Sequence, residues 1–339
     1  MALIGPMSGS LTRLESGSPA WVSGNGLSIT SGSDGSVTFT AVQQINLANF
    51  GDKSDGNATL TVTDAGVTWA TFSVGAIYTM NRDAFLNNLT INAGVSLLPN
   101  GFLPYIAGTL VNSGTVECRG ADATGVTGGV AATDAGTFLA DTTGGGTGAA
   151  STGNTTGGNS TLLANSAGGT GGAGGTANTT VSAGVPGTAS APLASITSWR
   201  TLNYVLSQRL ISATTILGLN GGTGGSGGGA SGNGVGQTAT SGGGGAGAIN
   251  LFLIMNTLDN AGTIRSRGGN GANASVVGTA FGAGGGGGGG AGSVLIAVNK
   301  VLALGTISST GGTAGTGAGI SGAASAGGVG TVIILSGSL

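Results

Sequence analysis

Few residues of this 339-residue chain are able to do chemistry. Four carboxylates stand close in sequence: Glu117, Asp122, Asp134 and Asp141. Two carboxylates held several ångströms apart can hydrolyse a glycosidic bond, so this cluster admits a polysaccharide depolymerase. Acids on polar loops are the commoner explanation, and the chain is expected not to be an enzyme. There is no His, which excludes Ser-His-Asp and Cys-His nucleophile pairs and every His-ligated metal or haem. The lone Cys118 forbids an intrachain disulfide or a cysteine cluster. The run Asp52-Lys53-Ser54-Asp55-Gly56-Asn57 has the flavour of a calcium loop, but its spacing departs from D-x-[DN]-x-[DN]-G and no Glu follows. It reads as a polar loop. A phosphate loop needs Gly-Lys, and neither Lys53 nor Lys300 follows a glycine. No cofactor and no metal are expected.

What remains is contact. Hydrophobic residues interrupt the glycine runs at Phe138 and Leu139, within DAGTFLADTTGGG, and at Val276, Val277 and Phe281. Loops on a rigid scaffold commonly carry binding residues, and aromatics are the usual anchors. Capping of a bundle or filling of a subunit interface would explain the same residues.

The chain that must position them is unusual. It holds 76 Gly, 34 Ser and 44 Thr, while charged residues make up 6%, against about 25% in ordinary domains. Residues 1–120 contain 16 of the glycines and residues 121–339 the other 60. Net charge is −6 over residues 1–142 and +4 over 143–339, too little to follow a phosphate backbone, so no nucleic acid is expected. The longest apolar stretch, AINLFLIM, falls far short of the ~20 residues that cross a bilayer, so no membrane insertion is expected. The start, MALIGPMSGSLTRLESG, lacks the basic and apolar regions of a secretion signal, and assembly in a cytoplasm is expected.

Disordered chains are charged and poor in aliphatics, whereas this one keeps Val, Ile and Leu in compact clusters. The tracts therefore need an ordered structure that tolerates glycine. Collagen needs a strict triplet and abundant Pro, and only six Pro occur. The polyglycine form of the PPII helix fits, with three residues per turn and backbone groups pointing outward to neighbouring helices. Residues 168–176 read GGT-GGA-GGT and 221–229 read GGT-GGS-GGG, leaving two faces of each turn bare. Residues 284–290 are all Gly and suit the centre of a bundle. Glycine loops hung on a β-solenoid are the rival arrangement.

A repeat runs through the same region. TLVNSGTVECRG (109–120), TLDNAGTIRSRG (257–268) and VLALGTISSTG (301–311) each follow an apolar run and precede glycine. The unit is strand, turn, strand, then tract, with turn glycines at positive φ. Leu251, Leu253 and Met255 alternate with Phe252 and Ile254, so this strand is expected to be buried on both faces. Residues 20–80 read as hairpins. LSIT and VTFTAV flank SGSDG, and ATLTVT and VTWATFSV flank Asp64-Ala65-Gly66, with Trp21, Phe39, Trp69 and Phe72 as a small sandwich core. ITSWRTLNYVLSQRL (196–210) has both helical and strand readings. The expected fold is all-β. A β-sandwich-like module for attachment or assembly, residues 1–84, precedes a β-solenoid-like body, residues 85–339, interleaved with polyglycine II helices.

The block LTINAGVSLLPNGFLPYIAGTLVNSGTV, with glycine tracts alternating with short apolar strands over residues 85–339, resembles glycine-rich virion proteins of tailed bacteriophages. Tail-fibre or fibre-tip adhesins of the polyglycine-sandwich kind are nearest in style. That resemblance implies a stiff glycine scaffold in the virion, bound to other virion proteins. It also implies loops that touch a host surface glycan or outer-membrane protein. The interleaving of strands with tracts departs from the family's plan. Exposed edge strands on such a fold invite pairing with further copies, a homotrimer above all. A capsid decoration or head-fibre protein would share the style. Ice-binding polyglycine bundles are small and disulfide-stapled, unlike this chain.

Overall fold

The computed structural model describes residues 21–23, 27–31, 37–41, 52–130, 150–151, 154–155, 157–159, 222–231, 238–277, 282–321 and 323–336. The chain divides into two compact units, Met1–Asn46 and Leu47–Leu339. In the first, β1 (Trp21–Ser23), β2 (Leu27–Ser31) and β3 (Val37–Ala41) form an antiparallel sheet in that order. The hairpin expected around SGSDG is the β2–β3 pair, with Ile29 opposite Phe39.

The second unit is all-β, with no helix among the described residues. One six-stranded sheet holds β4 (Gly56–Leu60), β7 (Ala84–Ile91), β9 (Pro104–Asn112), β15 (Leu251–Asn260), β19 (Val294–Ala303) and β22 (Val332–Ser336), all parallel. The other holds β5 (Ala70–Ser73), β6 (Ile77–Met80), β8 (Ser96–Leu98), β10 (Thr115–Arg119), β16 (Thr263–Arg267) and β20 (Thr306–Thr310). Only the β5–β6 pair in it is antiparallel. The chain alternates between the sheets, so β9 feeds β10, β15 feeds β16 and β19 feeds β20. Each strand pairs with its counterpart in the next repeat rather than with its own neighbour in sequence. Thr115, Thr263 and Thr306 therefore lie side by side.

This corrects two expectations. ATLTVT and VTWATFSV do not form a hairpin: β4 pairs with β7, and β5 pairs with β6. The boundary expected after residue 84 falls inside the second unit, because β4, β5 and β6 complete its two sheets. Trp69 and Phe72 accordingly join that unit's core, while Trp21 and Phe39 lie on β1 and β3 of the first.

Parallel register turns the repeat into ladders of like residues. Leu89, Leu110, Leu258 and Val301 run across one sheet, and Tyr78, Leu97, Val116, Ile264 and Ile307 run across the other. Both ladders belong to one apolar core. Fully burying one such aliphatic side chain is worth roughly 1.5–3 kcal/mol. As expected for β15, Leu251, Leu253 and Met255 enter this core while Phe252 and Ile254 are buried on the opposite face. The Tyr78 hydroxyl donates to the Thr63 carbonyl at 2.6 Å, with the Thr61 carbonyl at 2.9 Å, and accepts from the Ala65 amide at 3.0 Å. Tyr78→Phe leaves that amide unpaired and should cost about 1–2 kcal/mol in denaturant unfolding. An unchanged midpoint would show that water replaces the hydroxyl.

The turns between sheets only partly use positive φ. Gly305 does, at 52°, but Gly114 and Gly262 do not. Those two are glycine for lack of room, since a Cβ on either would come closer than 3.0 Å to backbone of the preceding coil. Buried Asn side chains tie the coils at the same level. The Asn112 amide donates to Asn260 Oδ1 at 2.7 Å, and the Asn260 amide donates to the Leu304 carbonyl.

Beyond the strands the glycine tracts lie against one another, bonded through backbone alone. The amides of Gly284, Gly287 and Gly290 donate to the carbonyls of Gly229, Ser226 and Thr223, an antiparallel pairing. The amides of Gly242, Gly245 and Ala248 donate to the carbonyls of Gly284, Gly287 and Gly290, a parallel one. Gly286 and Gly289 bond to Ala272 and Gly269 on one side and to Gly315 and Gly312 on another, while Gly288 and Ala291 donate to Ser325 and Gly328. Partners recur at every third residue, so successive residues of 284–291 address different neighbours, five tracts in all. The tract 168–176 lies outside the described residues, as does 196–210.

Where tract meets sheet, hydroxyls replace apolar groups on the inward row. Ser266 Oγ donates to the Ile249 carbonyl and accepts from the Gly292 amide, both at 3.0 Å. Ser309 repeats the device, donating to Gly292 and accepting from Gly330. Short strands finish the tracts in two antiparallel sheets. One joins β11 (Ala150–Ser151), β14 (Thr238–Thr240) and β17 (Ser275–Val277). The other joins β12 (Asn154–Thr155), β13 (Ala230–Ser231), β18 (Gly282–Ala283) and β21 (Ala318–Gly319).

Candidate functional site

Of the residues singled out for contact, Phe138, Leu139 and Phe281 lie outside the described residues. Val276 and Val277 fall on β17, an edge strand at the end of the glycine bundle, beside β18 and β21. Alternation splits their roles. Val276 packs against Ala230, Ala239 and Ala283, so it seals a small apolar cluster. Val277 points outward and is 63% exposed. Ile320, next to β21, is 68% exposed at the same end. Ile320 is not among the contact residues expected from sequence, although an isoleucine inside GAGISG is as conspicuous as Val276 or Phe281. The tracts below are pinned by Asn side chains. Asn270 Oδ1 accepts from the Thr313 amide at 3.0 Å, and Asn273 Oδ1 accepts from the Thr316 amide at 2.9 Å.

The carboxylates are committed elsewhere. Glu117 is buried on β10 and meets Arg265 of β16, its register partner, with Nε and Nη2 both 2.8 Å from Oε2. Arg119 stands 3.7 Å from its other oxygen. Asp122 accepts from the Asn270 amide at 2.7 Å and lies 3.7 Å from Arg267. Asp134 and Asp141 lie outside the described residues.

The Asp52–Asn57 segment is a structural loop. Asp52 accepts from the Ser54 amide at 3.0 Å. Both oxygens of Asp55 meet Arg82, and the Phe85 amide donates to Oδ2 at 2.8 Å. The Arg82 guanidinium, aided by that amide and opposed by partial burial, holds the Asp55 carboxyl below its ordinary 3.8. A depressed carboxyl pKa stabilises the fold above the unfolded value, and that contribution is lost as pH falls through the folded value. Wild-type protein should therefore lose stability more steeply than Asp55→Asn on acidification below 3.8. Parallel stability–pH curves for the two would contradict this. Beside the loop the rings of Phe85 and Tyr105 stack across β7 and β9, with centroids 5.1 Å apart and planes 14° apart. Both side chains are half-buried, and neither was singled out from sequence.

Comparison with models of known protein families, with curated proteins and with solved structures finds no match.

Proposed function

We propose that the chain is a structural protein of a tailed-bacteriophage virion, a tail-fibre or receptor-binding component. In this reading the second unit is a short β-solenoid whose coils alternate between the two sheets, and the tracts between coils are polyglycine II helices. The observation that carries the reading is residues 284–291, hydrogen-bonded through backbone to five neighbouring tracts. Residues 284–291 offer no side chain to titrate or oxidise, and such a bundle holds whatever stands at its end rigidly. The ion-paired Glu117 and Asp122 favour a scaffold over a polysaccharide depolymerase. Val277 and Ile320 are apolar tips on that scaffold, suited to a host glycan or outer-membrane protein.

Antibody raised against the chain, applied to virions that carry its encoding genome, tests this. Label at the distal end of the tail is expected. Label over the head would make the chain a decoration protein, and unlabelled virions would overturn the reading. On labelled particles, Val277→Asp with Ile320→Asp should leave assembly intact and slow adsorption to host cells. Unchanged adsorption would remove both residues from the contact.

A further inference from the structure

The outer face of the second sheet carries more positive charge than its own carboxylates bond. Val116, Cys118 and Ile264 enter the core, so alternation turns Glu117, Arg119, Arg265 and Arg267 outward. The other outward side chains of β10, β16 and β20 are all hydroxyls: Thr115, Thr263, Thr306, Ser308 and Thr310. Each of these is half-buried or exposed. No apolar side chain of the three strands stands on this face.

The acids nearby are committed. Glu117 holds Arg265 through two contacts at 2.8 Å and stands 3.7 Å from Arg119. Asp122 accepts from the Asn270 amide at 2.7 Å and stands 3.7 Å from Arg267. A separation of 3.7 Å is too long for a hydrogen bond. Neither Arg119 nor Arg267 therefore donates a hydrogen bond to a described residue, although each guanidinium carries five N–H donors. The two are register partners on parallel strands, which run about 4.8 Å apart. Their side chains are 45% and 23% exposed. Like charges at paired positions repel, so the sheet sets two cations side by side without an anion bonded to either.

We propose that Arg119 and Arg267 together clamp one oxyanion, the carboxylate or phosphate group of an anionic polysaccharide lying on this face. The planar guanidinium fork matches the paired oxygens of such a group. Thr310 is the next register partner of Arg267, and Ser308 and Thr306 continue along its strand, so hydroxyls flank the clamp for neighbouring neutral sugars. A protein partner needs an aromatic or apolar anchor, and these strands present none here. Duplex DNA carries a charge every ~1.7 Å and asks for a basic stripe, whereas this face offers one pair beside a carboxylate. The site uses neither Val277 nor Ile320 and does not depend on the virion reading.

Isothermal titration of the full chain at low salt tests it. The probes are oligogalacturonate, whose acid is a carboxylate, phosphomannan, whose acid is a phosphate, neutral dextran, and duplex DNA. At least one acidic polysaccharide should bind, and which one identifies the acid; dextran should not bind. Arg119→Gln and Arg267→Gln should each weaken that binding by about tenfold. Without ligand both variants should melt no lower than wild type, because each relieves the repulsion. Arg265→Gln, which strands the buried Glu117, should melt lower. Failure of both acidic polysaccharides to bind, equal binding of dextran, tighter binding of DNA, binding indifferent to both substitutions, or a lower melting temperature in the Arg119 or Arg267 variant would overturn the proposal.

Discussion

Gly286→Val should abolish folding, and Gly286→Ala should come close. A Cβ at Gly286 would meet the Gly243 carbonyl and the Gly244 amide nitrogen at or inside 3.0 Å. Neither neighbour can retreat. The amide of Gly243 is bonded to Gly125 and its carbonyl to Ala272, while Gly286 itself is bonded to Ala272 and Gly315. Rotating the tract gains nothing, because a Cβ at Gly285, Gly288 or Gly289 would strike Gly315, Gly312 or Ala246 instead. The expected cost exceeds about 4–5 kcal/mol, a size reserved for such clashes. Gly125→Ala is the control. Gly125 bonds to the same bundle, but a Cβ there meets nothing, and only its positive φ of 55° resists substitution, at about 1–2 kcal/mol. Thermal unfolding followed by circular dichroism should separate the two variants widely. A Gly286→Ala protein as stable as Gly125→Ala would mean that the tracts are not in contact.

The second large effect is expected at Asn260. Its side chain is fully buried, accepts from the Asn112 amide and donates to the Leu304 carbonyl. Asn260→Leu keeps the volume but leaves the Leu304 carbonyl without its donor and deprives the buried Asn112 amide of its better acceptor. Each loss costs about 1–3 kcal/mol, so urea unfolding should show a loss of about 2–6 kcal/mol. Asn57→Ala is the comparison. Asn57 accepts from Asn87 and Asn88, but at an exposed position where water can replace it. Similar losses for both would mean that the buried ladder contributes no more than a surface contact.

These two sites differ in how far they could be read from sequence. The all-glycine run 284–290 announced a central tract, because only a position crowded on every side excludes every Cβ. The direction of each neighbour was not legible, since a bare backbone carries no side-chain mark of parallel or antiparallel pairing. The repeated blocks announced strand, turn and strand, and the double-sided burial of β15 followed from its unbroken apolar run. That successive strands belong to facing sheets was hidden. Asp64-Ala65-Gly66 looks like a hairpin turn, yet the chain there crosses to the other sheet and pairing passes to residues far along the sequence. The turn glycines of the repeat suggest positive φ, whereas Gly114 and Gly262 answer to a neighbouring coil that no local pattern reveals. Of the contact residues, Val276 and Val277 read alike in sequence, and strand alternation gives them opposite roles.

The central claim is that the glycine tracts form a hydrogen-bonded interior rather than loops. Amide hydrogen exchange of the intact chain, resolved over residues 284–291, tests it most directly. The amides of Gly284 and of residues 286–291 all donate to carbonyls of neighbouring tracts. They should therefore exchange as slowly as those of β15 and β19, through global unfolding alone. Exchange at the rate of the exposed loop at residues 61–66 would contradict the account.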